Sequence, residues 1–396
     1  MLLRPCLTIL LSTLLAACGS GGGSSGSTTT SSVGSSVGAA CTTTFQGRST
    51  LAVGAQMEDA TAAAAPFDAR YLYLAGGIRP AGTCATTCSA ACGAWWGCWQ
   101  DWALPPGRYA TLHMQKAAAA TWQGSPRPQV PMFTYYEILQ STGAAEGAAE
   151  VAAINDAAFL ARYLDDWRFL LQKIGSTQAM LHIEPDFWGY VRQANSNPRL
   201  VPAPVAAANP ADCNTQENSA AGLARCMIAM TRKYAPNATV GLHASPWMMP
   251  YDGNDGVTLG NFMLALGAGD GDFIATDPSD RDAGYYTSLG RDTWWDDAKA
   301  AAYLAWSRSL SDTVGKPTVM WQIPLGNMAQ NNTTNHWQDN RVDYLFAHPA
   351  DVVRSGIVAL LFGAGEGQQT TPETDGGNLV AKSLANWQAG GTSLCP

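Results

Sequence analysis

Charged side chains are scarce in this sequence, and cations are scarcer than anions. Asp, Glu, Lys and Arg make up 14% of its 396 residues, and 23 Lys and Arg stand against 31 Asp and Glu. An average protein has about 25% charged residues. No segment forms the cationic cluster that nucleic-acid phosphates require. Nucleic acid is therefore not expected as a partner.

Residues 41–396 also lack two motifs of common enzyme classes. They contain no Gly-x-Ser-x-Gly, the nucleophile turn of serine hydrolases, and no glycine-rich motif that holds nucleotide phosphates. We therefore expect no serine-hydrolase chemistry and no organic cofactor. Beyond the N-terminus, no apolar stretch approaches the roughly 20 residues that a membrane-spanning helix needs.

The first 17 residues have the layout of a secretory signal. Arg4 precedes an apolar run at residues 7–15, which is too short to span a membrane. The sequence Leu-Ala-Ala-Cys at residues 15–18 resembles the lipobox of bacterial lipoproteins. This resemblance implies that residues 1–17 are removed and that Cys18 carries lipid. The protein would then be held in the cell envelope, outside the cytoplasm, through its lipid anchor only. An ordinary signal peptide is the alternative.

Residues 19–40 contain only Gly, Ser, Thr, Val and Ala. Such a segment cannot bury enough apolar surface to offset the entropy of ordering, so residues 18–40 are predicted to be a lipidated cysteine followed by a flexible linker. Residues 41–396 then form a single domain, expected to be a monomer.

The cysteines indicate an oxidising compartment. Of ten, one lies in the signal and Cys18 would carry lipid, which leaves an even number of eight. Cys41 with Cys395 would join the two ends of the domain, and Cys213 with Cys226 would close a short loop. The remaining four would pair with one another: Cys84, Cys88, Cys92 and Cys98. A zinc site is the alternative for these four, although their spacing matches no common ligand pattern.

Short β-branched and aromatic segments alternate with longer alanine-rich segments of helical periodicity. This pattern is typical of βα units around a parallel sheet. Eight strands are predicted, at residues 49–55, 71–75, 130–136, 179–184, 239–244, 273–277, 318–323 and 357–362. Helices are predicted between them, notably at residues 152–174, 219–234, 294–310, 337–346 and 378–387. The fold class is therefore α/β, a (β/α)8 TIM-type barrel stabilised by disulfides. A doubly wound open sheet is the alternative.

Polar, aromatic and glycine residues follow nearly every predicted strand. Active sites of such barrels lie at this end, so a functional pocket is expected there. The most distinctive segment is His-Ile-Glu-Pro-Asp-Phe-Trp-Gly-Tyr at residues 182–190. Strand alternation places His182, Glu184 and, if the extension continues, Asp186 on one face.

Glu184 and Pro185 at the end of strand four resemble the glycoside hydrolase barrels whose acid/base glutamate stands in an Asn-Glu-Pro motif. Ile183 replaces the asparagine here, and Gln322 stands near the place of the nucleophilic glutamate on strand seven. The Glu-Pro-Asp triplet is also similar to a strand in certain cellulases. The resemblance implies hydrolysis of a polysaccharide or oligosaccharide, with Glu184 as the general acid. A buried ion pair at the barrel mouth is the alternative role for Glu184.

Glycoside cleavage generally needs a second carboxyl group. The segment after strand six supplies Asp277 and Asp280 as candidates for the base, and Asp186 is a further catalytic candidate. Strands four and six are separated by one strand, so their carboxylates would face each other across a pocket wide enough for a water molecule. Glu137 and Glu366 are spare carboxylates at the same rim. The aspartates of strand six would alternatively form an ordinary turn or helix cap.

Tryptophan is abundant, with 14 residues. Indole rings stack on the apolar faces of sugars while neighbouring polar groups bind hydroxyls. The predicted substrate contacts are Trp188, Trp247, Trp321, His182, His243, Gln322, Glu137 and Glu366.

Two other functions fit the same residues. One is a glycan-binding lipoprotein without catalysis, in which Glu184→Gln would have no turnover to abolish. The other is a metal-dependent hydrolase with His182, Glu184 and His243 as ligands. The main interpretation, a glycoside hydrolase, includes no metal.

Overall fold

A computed structural model describes residues 42–78, 107–143, 145–249 and 255–395. The predicted signal, the lipid site Cys18 and the linker lie outside the described residues, as do Cys41, Cys84, Cys88, Cys92 and Cys98.

Eight parallel strands form a closed barrel. They are β1 (Ala52–Ala55), β2 (Ala69–Leu74), β3 (Val130–Tyr135), β4 (Met180–Ile183), β5 (Thr239–His243), β6 (Phe273–Thr276), β7 (Thr318–Ile323) and β8 (Ile357–Phe362). Each strand pairs with the next along the chain, and β8 pairs with β1. The prediction of a (β/α)8 barrel is confirmed, and the open-sheet alternative is wrong. A small antiparallel hairpin, Thr121–Trp122 with Ser125–Pro126, lies outside the barrel sheet.

Helices connect the strands. Those of the described residues are α1 (Asp59–Ala62), α2 (Arg108–Ala118), α3 (Ile138–Thr142), α4 (Ala148–Ala153), α5 (Ala157–Ile174), α6 (Phe187–Ala194), α7 (Val205–Ala208), α8 (Ala220–Tyr234), α9 (Asp255–Leu266), α10 (Ala283–Ser288), α11 (Asp297–Val314), α12 (Arg341–Ala347), α13 (Pro349–Arg354) and α14 (Asn378–Gln388). Short 3₁₀ helices occur at Pro198–Leu200, Pro246–Met248 and Ala268–Asp270. None of these helices combines the length and apolar composition needed to cross a membrane.

Local capping explains where the helices differ from prediction. The predicted helix at residues 152–174 is divided into α4 and α5, because the Asp156 side chain accepts hydrogen bonds from the backbone N–H groups of Ala158 and Phe159. Asp296 likewise caps α11 by accepting from the N–H of Lys299, so this helix begins later than predicted.

The strands are buried on both faces, as is usual when helices surround a parallel barrel. Outside β3, the Tyr135 ring packs on Trp167 of α5, with ring centroids 4.9 Å apart. Towards the C-terminal end of the barrel, aromatic and polar side chains pack together: Tyr71 and Tyr73 of β2 both contact Trp321 of β7. The fold thereby places polar chemistry at this end.

The two ends of the domain meet at the other end of the barrel. The N–H of Leu51, just before β1, donates to the carbonyl of Thr392 at 2.8 Å, and the N–H of Leu394 donates to the carbonyl of Ser49 at 2.9 Å. Strand β1 therefore begins at Ala52 instead of residue 49.

Two cysteine predictions fall within the described residues. Cys213 and Cys226 form the predicted disulfide, which ties the segment before α8 to that helix. Cys395 is disulfide-bonded, and its predicted partner Cys41 lies outside the described residues.

Candidate active site

A cavity of about 610 Å³ opens at the C-terminal ends of the strands. The cavity is lined by side chains of β2, β5 and β7 and by the loops that follow β3, β4, β5, β6 and β8. Among the described residues, β1 is the one strand that contributes neither its own side chains nor its following loop. Its lining includes Tyr73, Tyr136, Asp186, His243, Trp247, Asp277, Trp321, Gln322 and Glu366. This is the end of the barrel where the sequence predicts a pocket.

Asp186 lies in the wall formed after β4. Its backbone is left-handed, with φ of 67°, a conformation that non-glycine residues seldom adopt. The indole N–H of Trp247 donates to Oδ1 at 3.1 Å. Burial raises the pKa of Asp186 from its usual 3.8 to about 6, and the charge of Asp277 adds to this effect while His243 opposes it. Asp186 is therefore a carboxyl group that keeps its proton in mildly acidic solution.

Asp277 follows β6 and lines the same cavity. It is 9% exposed, and its Oδ1 lies 3.1 Å from Nε2 of His243. Both carboxyl groups line the cavity, and they interact electrostatically, since the charge of Asp277 raises the pKa of Asp186. The cavity thus contains three of the four predicted catalytic residues, namely Asp186, Asp277 and Asp280.

His182 lies below the cavity and is fully buried. Its Nε2 is 3.1 Å from Nδ1 of His243, and its Nδ1 is 3.3 Å from the hydroxyl of Thr134. Burial lowers the pKa of His182 well below 6.5, and the neighbouring His243 lowers it further. His182 does not line the cavity, so the prediction that it contacts substrate is wrong; His243 does line it.

The predicted position of Glu184 in the cavity is wrong. Its φ of 48° ends the extended backbone on which the alternation of strand faces depends. The carboxylate accepts from the hydroxyl of Tyr163 on α5 at 2.8 Å and from the N–H groups of Glu137 and Ile138 at 3.1 and 3.2 Å. It is 0% exposed, and burial raises its pKa to about 8. Glu184 therefore faces the helix layer.

Glu137 lies beside Glu184 and is also absent from the cavity wall, so its predicted contact with substrate is wrong. The N–H of Gly77 donates to its carboxylate at 2.7 Å. Burial, together with the charges of Asp166 and Glu184, raises the pKa of Glu137 well above 4.5. These two glutamates belong to the packed layer between β3, β4 and α5.

Gln322 lines the cavity. Its backbone is left-handed, with φ of 54°, and its side-chain carbonyl accepts from the hydroxyl of Tyr73 at 2.6 Å. Gly365 lies against its amide, where an added Cβ would overlap the nitrogen. Two neighbouring elements therefore hold this amide in place.

Asp280 and Glu366 reach the cavity but share one cation. Arg281 forms an ion pair with Asp280 and lies 3.6 Å from Glu366, and the Tyr286 hydroxyl also donates to Asp280. These contacts neutralise Asp280, which leaves Asp277 as the better candidate for a base.

The three predicted tryptophans have different surroundings. Trp247 is 40% exposed in the cavity and packs on Tyr190, with ring centroids 5.1 Å apart. Trp321 forms the floor and packs on both histidines. Trp188 is fully buried and donates to the carbonyl of Ile183 at 2.9 Å, so its predicted contact with substrate is wrong.

Tyrosines of the cavity were absent from the sequence prediction. They are Tyr73, Tyr136, Tyr190 and Tyr286. Tyr73 lies on a predicted strand and Tyr136 at the end of another, so their positions at strand ends were the available signal.

The side chains of the metal-dependent alternative do not converge. The two histidines bond to each other, whereas Glu184 bonds to Tyr163. Within the described ranges, no three His, Cys, Asp or Glu side chains lie close enough together to hold a metal ion.

No protein-family model matches the sequence, and a comparison with curated proteins gives no match. Solved structures with a similar fold include a Bacteroidetes-affiliated GH5 cellulase linked with a polysaccharide utilization locus, at 9% identity and a TM-score of 0.48 over 84% of each chain. A GH5-4 broad specificity endoglucanase from Clostridium acetobutylicum matches at 10% identity and a TM-score of 0.45, over 83% of this chain and 89% of that one. The endoglucanase Cel6 from Mycobacterium tuberculosis matches at 14% identity and a TM-score of 0.32. The match covers 65% of this chain and 61% of that protein. The similarity concerns the fold alone.

Proposed function

We propose that this protein hydrolyses glycosidic bonds of a polysaccharide, with Asp186 as the general acid and Asp277 as the general base. One observation carries the proposal: two interacting carboxyl groups with different surroundings line one aromatic cavity at the C-terminal end of the barrel. Pairs of carboxyls whose environments separate their protonation are typical of acid/base hydrolysis.

Asp186 supplies the proton. Burial raises its pKa to about 6, so it is protonated in mildly acidic solution and can donate to the departing glycosidic oxygen. The Trp247 N–H engages Oδ1, and the constrained backbone of Asp186 limits its reorientation.

Asp277 activates water. His243 bonds to its Oδ1, and no other hydrogen bond to Asp277 occurs among the described residues, so Oδ2 is available to accept a proton from water. The water oxygen then bonds to the anomeric carbon while the bond to the leaving oxygen breaks and Asp186 protonates that oxygen. Because Gln322 is an amide and cannot act as a nucleophile, the proposed reaction is a single displacement that inverts the anomeric configuration.

The lining of the cavity supports a sugar substrate. Trp247 and Tyr190 present aromatic faces on which the apolar side of a pyranose ring can stack. Gln322 and the tyrosine hydroxyls offer hydrogen-bond partners for sugar hydroxyls.

We also propose the cell envelope as the location, with lipid on Cys18 as the only membrane attachment. The support is the short apolar run and the lipobox-like sequence before Cys18. Fractionation of the Cys18→Ser variant tests this, because the variant should leave the membrane fraction.

The catalytic proposal is tested by screening the full chain against a panel of polysaccharides with detection of new reducing ends. Asp186→Asn and Asp277→Asn should each lower kcat/KM by roughly 10² to 10⁴-fold on the polysaccharide that is cut. Asp312→Asn is the matched control, since Asp312 is exposed on α11, pairs with Arg308 and is absent from the cavity wall. Wild-type rates in either cavity variant would contradict the assignment. Binding without cleavage would favour the glycan-binding alternative.

A further inference from the structure

Three hydrogen bonds in series lead from the barrel interior to the carboxylate of Asp277. They join Thr134 Oγ1 to His182 Nδ1 at 3.3 Å, His182 Nε2 to His243 Nδ1 at 3.1 Å, and His243 Nε2 to Asp277 Oδ1 at 3.1 Å. Thr134, His182 and His243 belong to the adjacent strands β3, β4 and β5, and Asp277 follows β6. Each link therefore crosses from one strand to the next. We call these four residues the interior hydrogen-bond row.

The direction of the row follows from its outer end. An ionised carboxylate only accepts, so His243 must donate from Nε2. A neutral His243 then has a bare Nδ1, which accepts from the Nε2–H of His182. The Nδ1 of His182 is bare in turn and accepts from the Thr134 hydroxyl. Burial lowers the pKa of His182 well below 6.5, which keeps that ring neutral with a single N–H.

The surroundings of the row offer its side chains few other hydrogen-bond partners. Thr134 and His182 are fully buried, and the Trp321 ring packs on both imidazoles, with centroids 4.6 Å from His182 and 5.7 Å from His243. Among the described residues, the ionisable groups that interact with Asp277 include His243, Asp186 and Tyr73, and His243 interacts with His182. The hydroxyl of Thr134 is the inner end of the row.

We propose that Thr134 and His182 are positioning residues for Asp277: the row holds the His243 ring with Nε2 towards Asp277 and so keeps this base oriented. The inference rests on the base role proposed for Asp277. The row does not remove the proton that Asp277 takes from water, because Nε2 of His243 already carries one. That proton returns to solvent through the cavity.

Removal of the Thr134 hydroxyl leaves the buried Nδ1 of His182 without its hydrogen-bond partner. The His182 ring is then held by its bond to His243 alone, so the His243 ring is held less firmly against Asp277. A weaker bond from Nε2 of His243 stabilises the carboxylate form of Asp277 less, and the carboxylate is the form that acts as a base.

Thr134→Val tests this, with two further variants for comparison. In Thr134→Val, the acidic limb of the profile of kcat/KM against pH should move to higher pH by roughly one unit, which is about a tenfold loss of kcat/KM on that limb. Thr134→Ser restores the hydroxyl and should return the limb to its wild-type position. Thr318→Val is the matched control, since Thr318 is also a buried barrel threonine and its hydroxyl bonds to Ser307 at 3.0 Å, outside the row. A uniform loss of rate in Thr134→Val with an unmoved limb would overturn the proposal.

Nitrogen-15 NMR of the histidine rings gives a readout independent of turnover. Wild-type His182 and His243 should both carry their proton on Nε2, and Thr134→Val should shift the Nδ1 signal of His182, which loses the bond from the hydroxyl. Wild-type rings protonated on Nδ1 would overturn the row even in an active enzyme. The expected tautomers in a chain that cuts no glycan would overturn the proposed function instead, and with it the base role that the row serves.

Discussion

Three non-glycine residues at the mouth of the barrel have left-handed backbones: Glu184, Asp186 and Gln322. Each such residue costs on the order of 1–3 kcal/mol unless its surroundings enforce the conformation. At Asp186 the result is a carboxyl group in the cavity wall, and at Gln322 it is an amide that bonds to Tyr73. At Glu184 it turns the carboxylate away from the cavity. Local strain thus decides which side chains face the cavity.

The protonation of Asp186 predicts a basic limit to activity. A general acid must carry its proton, so kcat should fall as pH rises through about 6, the value to which burial raises the pKa of Asp186. The Trp247 N–H bond lowers this pKa, so Trp247→Phe should move the basic limb to higher pH while keeping an aromatic ring. Measurement of kcat against pH checks this. Trp387→Phe, at an exposed tryptophan outside the cavity, is the control. A limb that stays in place or moves down would argue against Asp186 as the acid.

At the scale of elements, the loop after β8 supports β7. An added Cβ at Gly365 would overlap both the Gln322 amide and the backbone carbonyl of Asp280. The close approach of β7 and the loops after β6 and β8 thus depends on a residue without a side chain.

Gly365→Ala should displace Gln322 and break its bond to Tyr73. We expect kcat/KM to fall by about tenfold or more, since small displacements of positioning groups are costly. Gly367→Ala is the control, because no atom lies within 4 Å of its added Cβ. Kinetics and thermal unfolding of both variants check this. Equal activity of the two variants would mean that the Gln322 position is unimportant.

Elements were more predictable than side-chain directions. The alternation of apolar strands and amphipathic helices depends on burial, which the sequence pattern reports directly, and all eight strands lie within or overlap their predicted segments. The orientation of Glu184 depends on one backbone angle and on Tyr163 from α5, which is distant in sequence. Trp188 turned inward for a related reason, since its N–H bonds to Ile183. Asp277 lines the cavity because it follows β6 directly, and Trp247 lies in the loop that follows β5.

At the scale of the whole molecule, buried acids couple stability to pH. Burial raises the pKa of Glu184 from 4.5 to about 8 and that of Glu150 from 4.5 to about 7. Between pH 4.5 and these raised values, the folded state holds protons that the unfolded state has lost, so the free energy of unfolding falls as pH rises. The contribution of Glu184 is fully present below about pH 4.5 and is lost progressively up to about pH 8.

Glu184→Gln keeps the acceptor oxygen and removes the titration. The decline of unfolding free energy between pH 5 and 7 should become shallower by about 1.4 kcal/mol per pH unit, the slope for one proton. Activity should persist, because Glu184 is absent from the cavity wall. Urea unfolding at several pH values, with Glu217→Gln at the exposed pair with Arg199 as the control, measures the change. Loss of turnover in Glu184→Gln would restore its predicted role as the acid.

The paired ends of the domain have a practical consequence. Ser49 and Leu51 lie beside Leu394 and Thr392, at the end of the barrel away from the cavity. Nearby termini at a surface favour circular permutation and fusion. A C-terminal handle on a solid support should leave the mouth of the barrel open to insoluble polymers, and a short peptide joining residues 49 and 394 should let the chain be opened at a loop elsewhere.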